Sequence, residues 1–197
     1  MTTTARAATT RAATTRGALL AAAREVFAAS GFSEASIADV VSRAEASVGS
    51  LYHHFGGKAD LYLALFEDYS ARQEERASAA VRAARGEGER DPVALFVAGA
   101  RGYLEGSWAE RDLARLFLAG GGPPGFELTA RRRYYEWTVL NAHLLRTGDQ
   151  PWGEAIVLVL TTVVREAGHE IAVCDDEQAA RALAAEFLAL IDKVGRR

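Results

Sequence analysis

Apolar residues recur three and four positions apart along most of this chain, and no segment alternates apolar and polar residues as a half-buried strand does. The pattern predicts an all-α protein. Leu19, Leu20, Ala23, Val26 and Phe27 form a helical stripe that Gly31 stops, with Phe32 placed to fold back on the last turn. Ser36 is a strong N-cap with Asp39 three residues on, and Ile37, Val40, Val41 and Ala44 give the following helix one apolar face. The pattern then breaks at Glu45-Ala46. Ser47 caps a second short helix whose Leu51 and Phe55, four apart, make a narrow stripe suited to lie on its predecessor. Two helices joined by about three residues form a helix-turn-helix unit.

Lys58 opens a long helix after Gly56-Gly57, running through Leu61, Leu65, Phe66 and Tyr69 to about Arg85. It is expected to link two domains, so that its tilt carries a signal between them. A polar loop at 86–91 leads to Pro92, a favoured first helical residue. Further helices are expected at Pro92–Trp108, Asp112–Ala119, Phe126–Thr147, Gly153–Val173 and Asp176–Val194, separated by turn-forming residues at 120–125, 148–151 and 175–176. The glycine run at 120–125 lacks the GK[ST] ending and preceding strand of a phosphate loop, so it reads as a plain loop. Three regions follow: a tail at 1–15, a helix-turn-helix domain at 16–66, and a helical domain at 67–197 for ligand binding and dimerisation. The tail is low-complexity Thr, Ala and Arg and is expected to be disordered. Its Arg6 and Arg11, with Arg16 just behind, suit phosphates or a minor groove; a solvated tail without a role is the alternative.

On the second short helix, Ser47, Val48, Ser50, Tyr52 and His53 fall away from the Leu51/Phe55 stripe and are free to enter a major groove, whose depth accommodates an α-helix. Gly49 lets the backbone come close. Ser and His exchange hydrogen bonds with base edges, Val48 packs on a thymine methyl, and the Tyr52 hydroxyl donates to a phosphate. The helix carries no Arg, Lys, Asn or Gln. Specificity is therefore expected to lean on methyl contacts and DNA shape. Lys58, at the start of the long helix, adds its charge to the helix dipole where a phosphate would lie.

The leading helix ALLAAAREVFAASGF, the start SIADVV, the segment S-x-G-S-L-Y-H-H-F and Lys58 together closely resemble the N-terminal domain of TetR-family transcriptional regulators, from about Arg16 to Phe66. The resemblance implies a homodimeric, usually repressing, DNA-binding protein with a C-terminal ligand domain. It carries the family's DNA contacts onto Ser36, Arg43, Ser47, Val48, Ser50, Tyr52, His53 and Lys58. Two positions depart from the family. Glu45 stands at the usual turn glycine, which asks a residue with a Cβ to take a left-handed conformation, and Val48 replaces a common polar or basic residue.

Composition adds limits. The 197 residues carry a net charge of −3, yet residues 1–58 hold six Lys/Arg against four Asp/Glu, so the motif lies on the mildly positive end. No stretch of eighteen uncharged apolar residues is present, and the single cysteine, Cys174, excludes an internal disulfide, which fits a cytoplasmic protein without a membrane span. His143, His169 and Cys174 do not have metal-ligand spacing, and no cofactor is expected. Nothing in the spacing supports catalysis, since His53 and His54 are neighbours that point apart on a helix.

The middle helices are expected to enclose a pocket for an unknown small-molecule effector, with Trp108, Phe117, Tyr134, Trp137, His143 and Arg165 as its candidate walls and polar handles. Arg131-Arg132-Arg133 reads as a solvated helix face. The last two helices, with Ala155 to Val164 apolar nearly all round and Leu183, Phe187, Leu190 and Val194 on one stripe, suit a four-helix bundle between two copies. Such a homodimer sets two recognition helices roughly 34 Å apart and demands a palindromic operator in double-stranded DNA. Ligand and DNA would then compete through linkage, each favouring a different spacing of those helices. The alternative is a helical small-molecule carrier or interaction module whose DNA-binding domain is vestigial.

Overall fold

The structure, a computed structural model, describes residues 3–118, 120–145 and 153–196, with side chains from Ala13 onward. Among them every regular element is a helix: α1 (Thr3–Glu34), α2 (Ile37–Arg43), α3 (Val48–Phe55), α4 (Lys58–Gly86), α5 (Pro92–Ala109), α6 (Arg111–Leu118), α7 (Phe126–Leu145), α8 (Gly153–Ala172) and α9 (Glu177–Gly195). The all-α expectation holds. The side chains of Arg6 and Arg11, the turn at 148–151 and Trp152 lie outside the described residues.

Local chemistry sets the helix ends. Ser36 Oγ accepts from Ala38 N at 3.1 Å, Ser47 Oγ from Ser50 N at 3.1 Å, and Asp91 and Asp176 cap α5 and α9 in the same way. Each satisfies a backbone N–H that the first turn cannot. At Gly31 the chain leaves helical geometry at φ 72°, a conformation that costs a residue with a Cβ about 1–2 kcal/mol and glycine almost nothing. Phe32 then returns onto Phe27, ring centroids 6.2 Å apart. Helix α1 runs from Thr3 into the segment read from the sequence as a tail. Alanine is the strongest helix former, and the segment contains neither glycine nor proline to stop a helix propagating back from Arg16.

Two compact units result. One comprises the chain up to Tyr69 together with the segment ending at Phe126; the other comprises Ser70–Leu118 and the chain from Glu127 onward. Helix α4 is continuous through both. The first unit closes around Leu19, Phe27, Val40, Leu51, Leu61 and Tyr62, all at most 1% exposed. Tyr62 meets Phe27, Phe32 and Phe126 edge-on at 5.2 to 5.3 Å, the arrangement that aromatic quadrupoles favour. Burial raises the Tyr62 phenol to about 12. That core holds α2 and α3 at a fixed angle, and so fixes which side of α3 remains outside.

The second unit is a helical bundle whose core includes Phe96, Leu104, Leu160, Ile171, Leu188 and Ile191. The α4 and α5 backbones approach closely at Gly102, where a Cβ would stand 2.8 Å from the Arg76 carbonyl oxygen. Nearby, the buried Glu110 carboxylate takes both Arg72 and Arg76 of α4, with Arg72 Nε at 3.0 Å. Burial pushes the Glu110 carboxyl up, but the two guanidinium groups outweigh it and hold the group below the ordinary carboxylate range.

Candidate nucleic-acid interface

Helix α3 has two unlike faces. Leu51 and Phe55 are buried, at 0% and 7% exposure, whereas Val48 and Tyr52 are 48% and 51% exposed and Ser47, Gly49 and His53 are also on the surface. Ser50 is half-buried at the edge. Val48 and Tyr52 each leave about half of their surface in solvent beside a completed core. They form a surface wide enough for groove contact. His53 and His54 stand edge-on at 5.2 Å, so the exposed row extends along the helix to its last turn. Gly56, left-handed at φ 72°, ends α3 by donating its N–H to the Tyr52 carbonyl.

The flanking residues are positioned by internal contacts. Ser36 Oγ is the α2 cap acceptor, which leaves its proton for an outside oxygen. Arg43 pairs with Glu25 at 3.1 Å, both side chains more than half exposed. Such a pair is worth about 0–1 kcal/mol, so a phosphate can take the guanidinium over. Glu45 sits at φ 49°, the left-handed conformation anticipated for it, with its carboxylate exposed.

Lys58 is placed differently from the free phosphate arm read from the sequence. Its ammonium donates to the carbonyls of Ser33 at 3.0 Å and Ala35 at 2.8 Å and lies 4.7 Å from the Phe32 ring centre. An ammonium has three protons, so one remains for a phosphate while two tie α4 to the end of α1. The sequence separation of about 25 residues hides this latch from any local reading. Lys58→Ala is accordingly expected to lower the stability of the first unit by about 1–2 kcal/mol. Denaturant melts and DNA titrations of the same variant, at two salt concentrations, separate that loss from a lost phosphate contact.

Gly49 has no internal justification, since a Cβ there would meet only Ser47 Oγ at an ordinary 3.8 Å. Its room lies outward. Gly49→Ala is expected to keep or raise stability, by up to about 0.5–1 kcal/mol, because alanine loses less entropy in a helix. DNA affinity is expected to fall about tenfold, equivalent to about 1.4 kcal/mol of lost groove fit. Parallel melts and anisotropy titrations check this split.

The residues expected to line a pocket do not all converge. A cavity of about 350 Å³ in the second unit is bordered by Trp137 and His143. Trp108, Phe117, Tyr134 and Arg165 do not line it. Trp108 lies under the Arg111 guanidinium at 4.3 Å, and Phe117 is buried. Tyr134 shares a 2.7 Å hydrogen bond with Thr162, and Arg165 lies 4.9 Å over the Tyr134 ring while pairing with Glu166. The opposite wall is one stripe of α4, Glu74, Ser78, Val81, Arg82 and Arg85, a helix expected from the sequence as a link between domains and not as a pocket wall.

A capped helix held at a fixed angle by a second, with its apolar stripe inward and a mixed polar and aliphatic row outward, defines a helix-turn-helix DNA-binding protein. Residues 19–65 match the family model for bacterial regulatory proteins of the tetR family. Solved structures agree along nearly the whole length. A TetR-family transcriptional regulator from Pectobacterium atrosepticum is 27% identical, with 94% of each chain covered and a TM-score of 0.63. A TetR-like regulator from Rhodococcus sp. RHA1 is 23% identical, covering 93% of this chain and 94% of its own, with a TM-score of 0.71. A regulator of the same fold from Aquifex aeolicus is 18% identical over 91% of this chain and 99% of its own, at a TM-score of 0.72. No curated protein matches the chain. The matched N-terminal segment and the fold along the chain are thus those of TetR-family transcriptional regulators. Among the described residues no helix is long and apolar enough to cross a membrane.

Proposed function

We propose that the protein is a homodimeric, cytoplasmic repressor that binds a palindromic operator through α3 and is released by a small-molecule effector held in the second unit. The observation that carries the DNA-reading part is the exposed row Ser47, Val48, Tyr52 and His53 on a helix whose other side is fully buried. In this reading Val48 packs on a thymine methyl, Ser47, Ser50 and His53 exchange hydrogen bonds with base edges, and Tyr52, Ser36, Arg43 and the spare Lys58 proton hold phosphates. Val48→Ala then changes which operator is preferred, whereas Tyr52→Phe weakens binding to all sequences alike.

The homodimer is supported by the outer faces of α8 and α9, where Leu158, Val159 and Leu190 are each at least half exposed. Large aliphatic side chains on neighbouring helices form the kind of patch that a second copy covers. Sedimentation at micromolar concentration tests it: a dimer is expected, and Leu158→Glu with Leu190→Glu is expected to give a folded monomer with weakened operator binding. A wild-type monomer that still binds a palindrome tightly would remove the dimer from the account. Release by an effector is supported by the cavity against α4, the helix that continues into the DNA-binding unit. A ligand that prefers one α4 setting lowers DNA affinity by its differential binding to the two states.

A further inference from the structure

The cavity in the second unit has an uneven charge lining, and that unevenness identifies a ligand class. One stripe of α4 supplies the wall: positions 74, 78, 81, 82 and 85 fall on one helix face at intervals of three and four residues. Facing it are Phe96 of α5, Trp137, Leu140 and Leu144 of α7 and Val164 of α8, all apolar. The body of any occupant is therefore apolar. At about 350 Å³ the space is at the small end of the ~300–1,000 Å³ range of ligand sites.

Charge is confined to the margins. Arg82 is already paired with Glu75 at 2.6 Å. Arg85 has no carboxylate partner among the described residues, so its guanidinium is available beside an apolar wall. Glu74 stands eleven residues earlier on the same helix, about 16 Å away along its axis at 1.5 Å per residue. Between these ends the polar groups are the Ser78 hydroxyl, the His143 imidazole, and the carbonyl of Asn141, whose amide donates to Thr161 at 3.1 Å. A carboxylate head is attracted to the Arg85 end, where a planar guanidinium can take both oxygens, and repelled from the Glu74 end.

Antiparallel α4 and α5 keep this polarity in register with the aromatic lining. A Cβ at Gly99 would stand 3.1 Å from Val81, and one at Gly106 would fall against Gln73, so later positions on α5 face earlier ones on α4. Trp137 meets Tyr103 at 4.5 Å and thus lies nearer the Glu74 end, while Phe96 lies toward Arg85. An occupant therefore enters with a single orientation, its tail toward Trp137 and its head toward Arg85.

We infer that this cavity binds an amphiphilic monocarboxylate, an apolar chain or ring system with one anionic head held by Arg85. The inference rests on the ligand-responsive reading above only for its biological use; the binding itself is tested separately. Calorimetry on the full chain with octanoate, octanol and octyltrimethylammonium compares three heads on one apolar tail. Octanoate is expected to bind about tenfold tighter than octanol, the value of one charge-assisted contact, and the cation weakest. Arg85→Gln, a surface change that leaves the melting temperature unaltered, is expected to bring octanoate and octanol to parity. Trp137→Leu is expected to weaken both alike. Equal binding of the three heads, binding of none, or a carboxylate preference that survives Arg85→Gln overturns the assignment. If octanoate binds as expected yet leaves operator affinity unchanged, the carboxylate site stands and effector release by this ligand class fails.

Discussion

Leu51→Ala is expected to destabilise the first unit by about 2–5 kcal/mol, the range for emptying a fully enclosed leucine site. Leu51 is 0% exposed and, with Phe55, is the apolar contact of α3 with its own unit. A cavity there removes what holds the outer row of α3 at its angle, so operator affinity falls with stability. The comparison that isolates the effect is Val48→Ala, one turn earlier on the exposed side, where stability is expected to stay within about 0.5 kcal/mol of wild type. Hydrogen exchange of the α3 amides together with urea melts of both variants reads the difference directly. Similar stabilities for the two would mean that α3 is not anchored through this residue.

Glu110→Ala is expected to destabilise the second unit by about 2–3 kcal/mol, less than the ~3–5 kcal/mol of a wholly buried pair because Arg72 and Arg76 are each about one third exposed. The carboxylate is itself only 5% exposed, and its removal takes their shared counter-charge from two guanidinium groups that stand side by side. The same group gives an acid dependence of fixed sign. Its folded value lies below that of the unfolded chain, so its stabilisation is present above the ordinary carboxylate value of about 4.3 and is lost as pH falls through the folded value. Glu110→Gln is expected to lower stability at neutral pH and flatten the acid limb of the melting profile. A variant with an unchanged acid limb would assign that limb to other carboxylates.

The helical frame was legible because its signals are local. Ser36 and Ser47 cap where they stand, Gly31 breaks α1, and the interval from Leu51 to Phe55 alone fixes which side of α3 is buried. Glu45 was expected to be left-handed only through the family resemblance, which puts a turn glycine there, and it is so at φ 49°. Long-range partners were not legible. Nothing near Lys58 announces the carbonyls of Ser33 and Ala35, and nothing near Arg72 or Arg76 announces Glu110.

The pocket fell between these cases. Aromatic content pointed to Trp137, but the same rule selected Trp108, Phe117 and Tyr134, which do not line the cavity. The informative residues were instead the charged stripe of α4, since Glu74, Arg82 and Arg85 look on a helical wheel like ordinary solvated positions. Which neighbour covers a face depends on the packing of α5 and α7, and periodicity along one helix does not contain that.

The central claim is that the outer row of α3 reads DNA, and anisotropy on the strongest genomic fragment selected by the protein tests it most directly. Wild type is expected to bind a palindrome within that fragment at least about 10³-fold above competitor DNA, with affinity falling steeply as salt rises. The Val48→Asp/Tyr52→Ala variant is expected to lose that binding while melting as wild type does. Equal affinity for scrambled sequence, or undiminished operator binding by that variant, would contradict the claim.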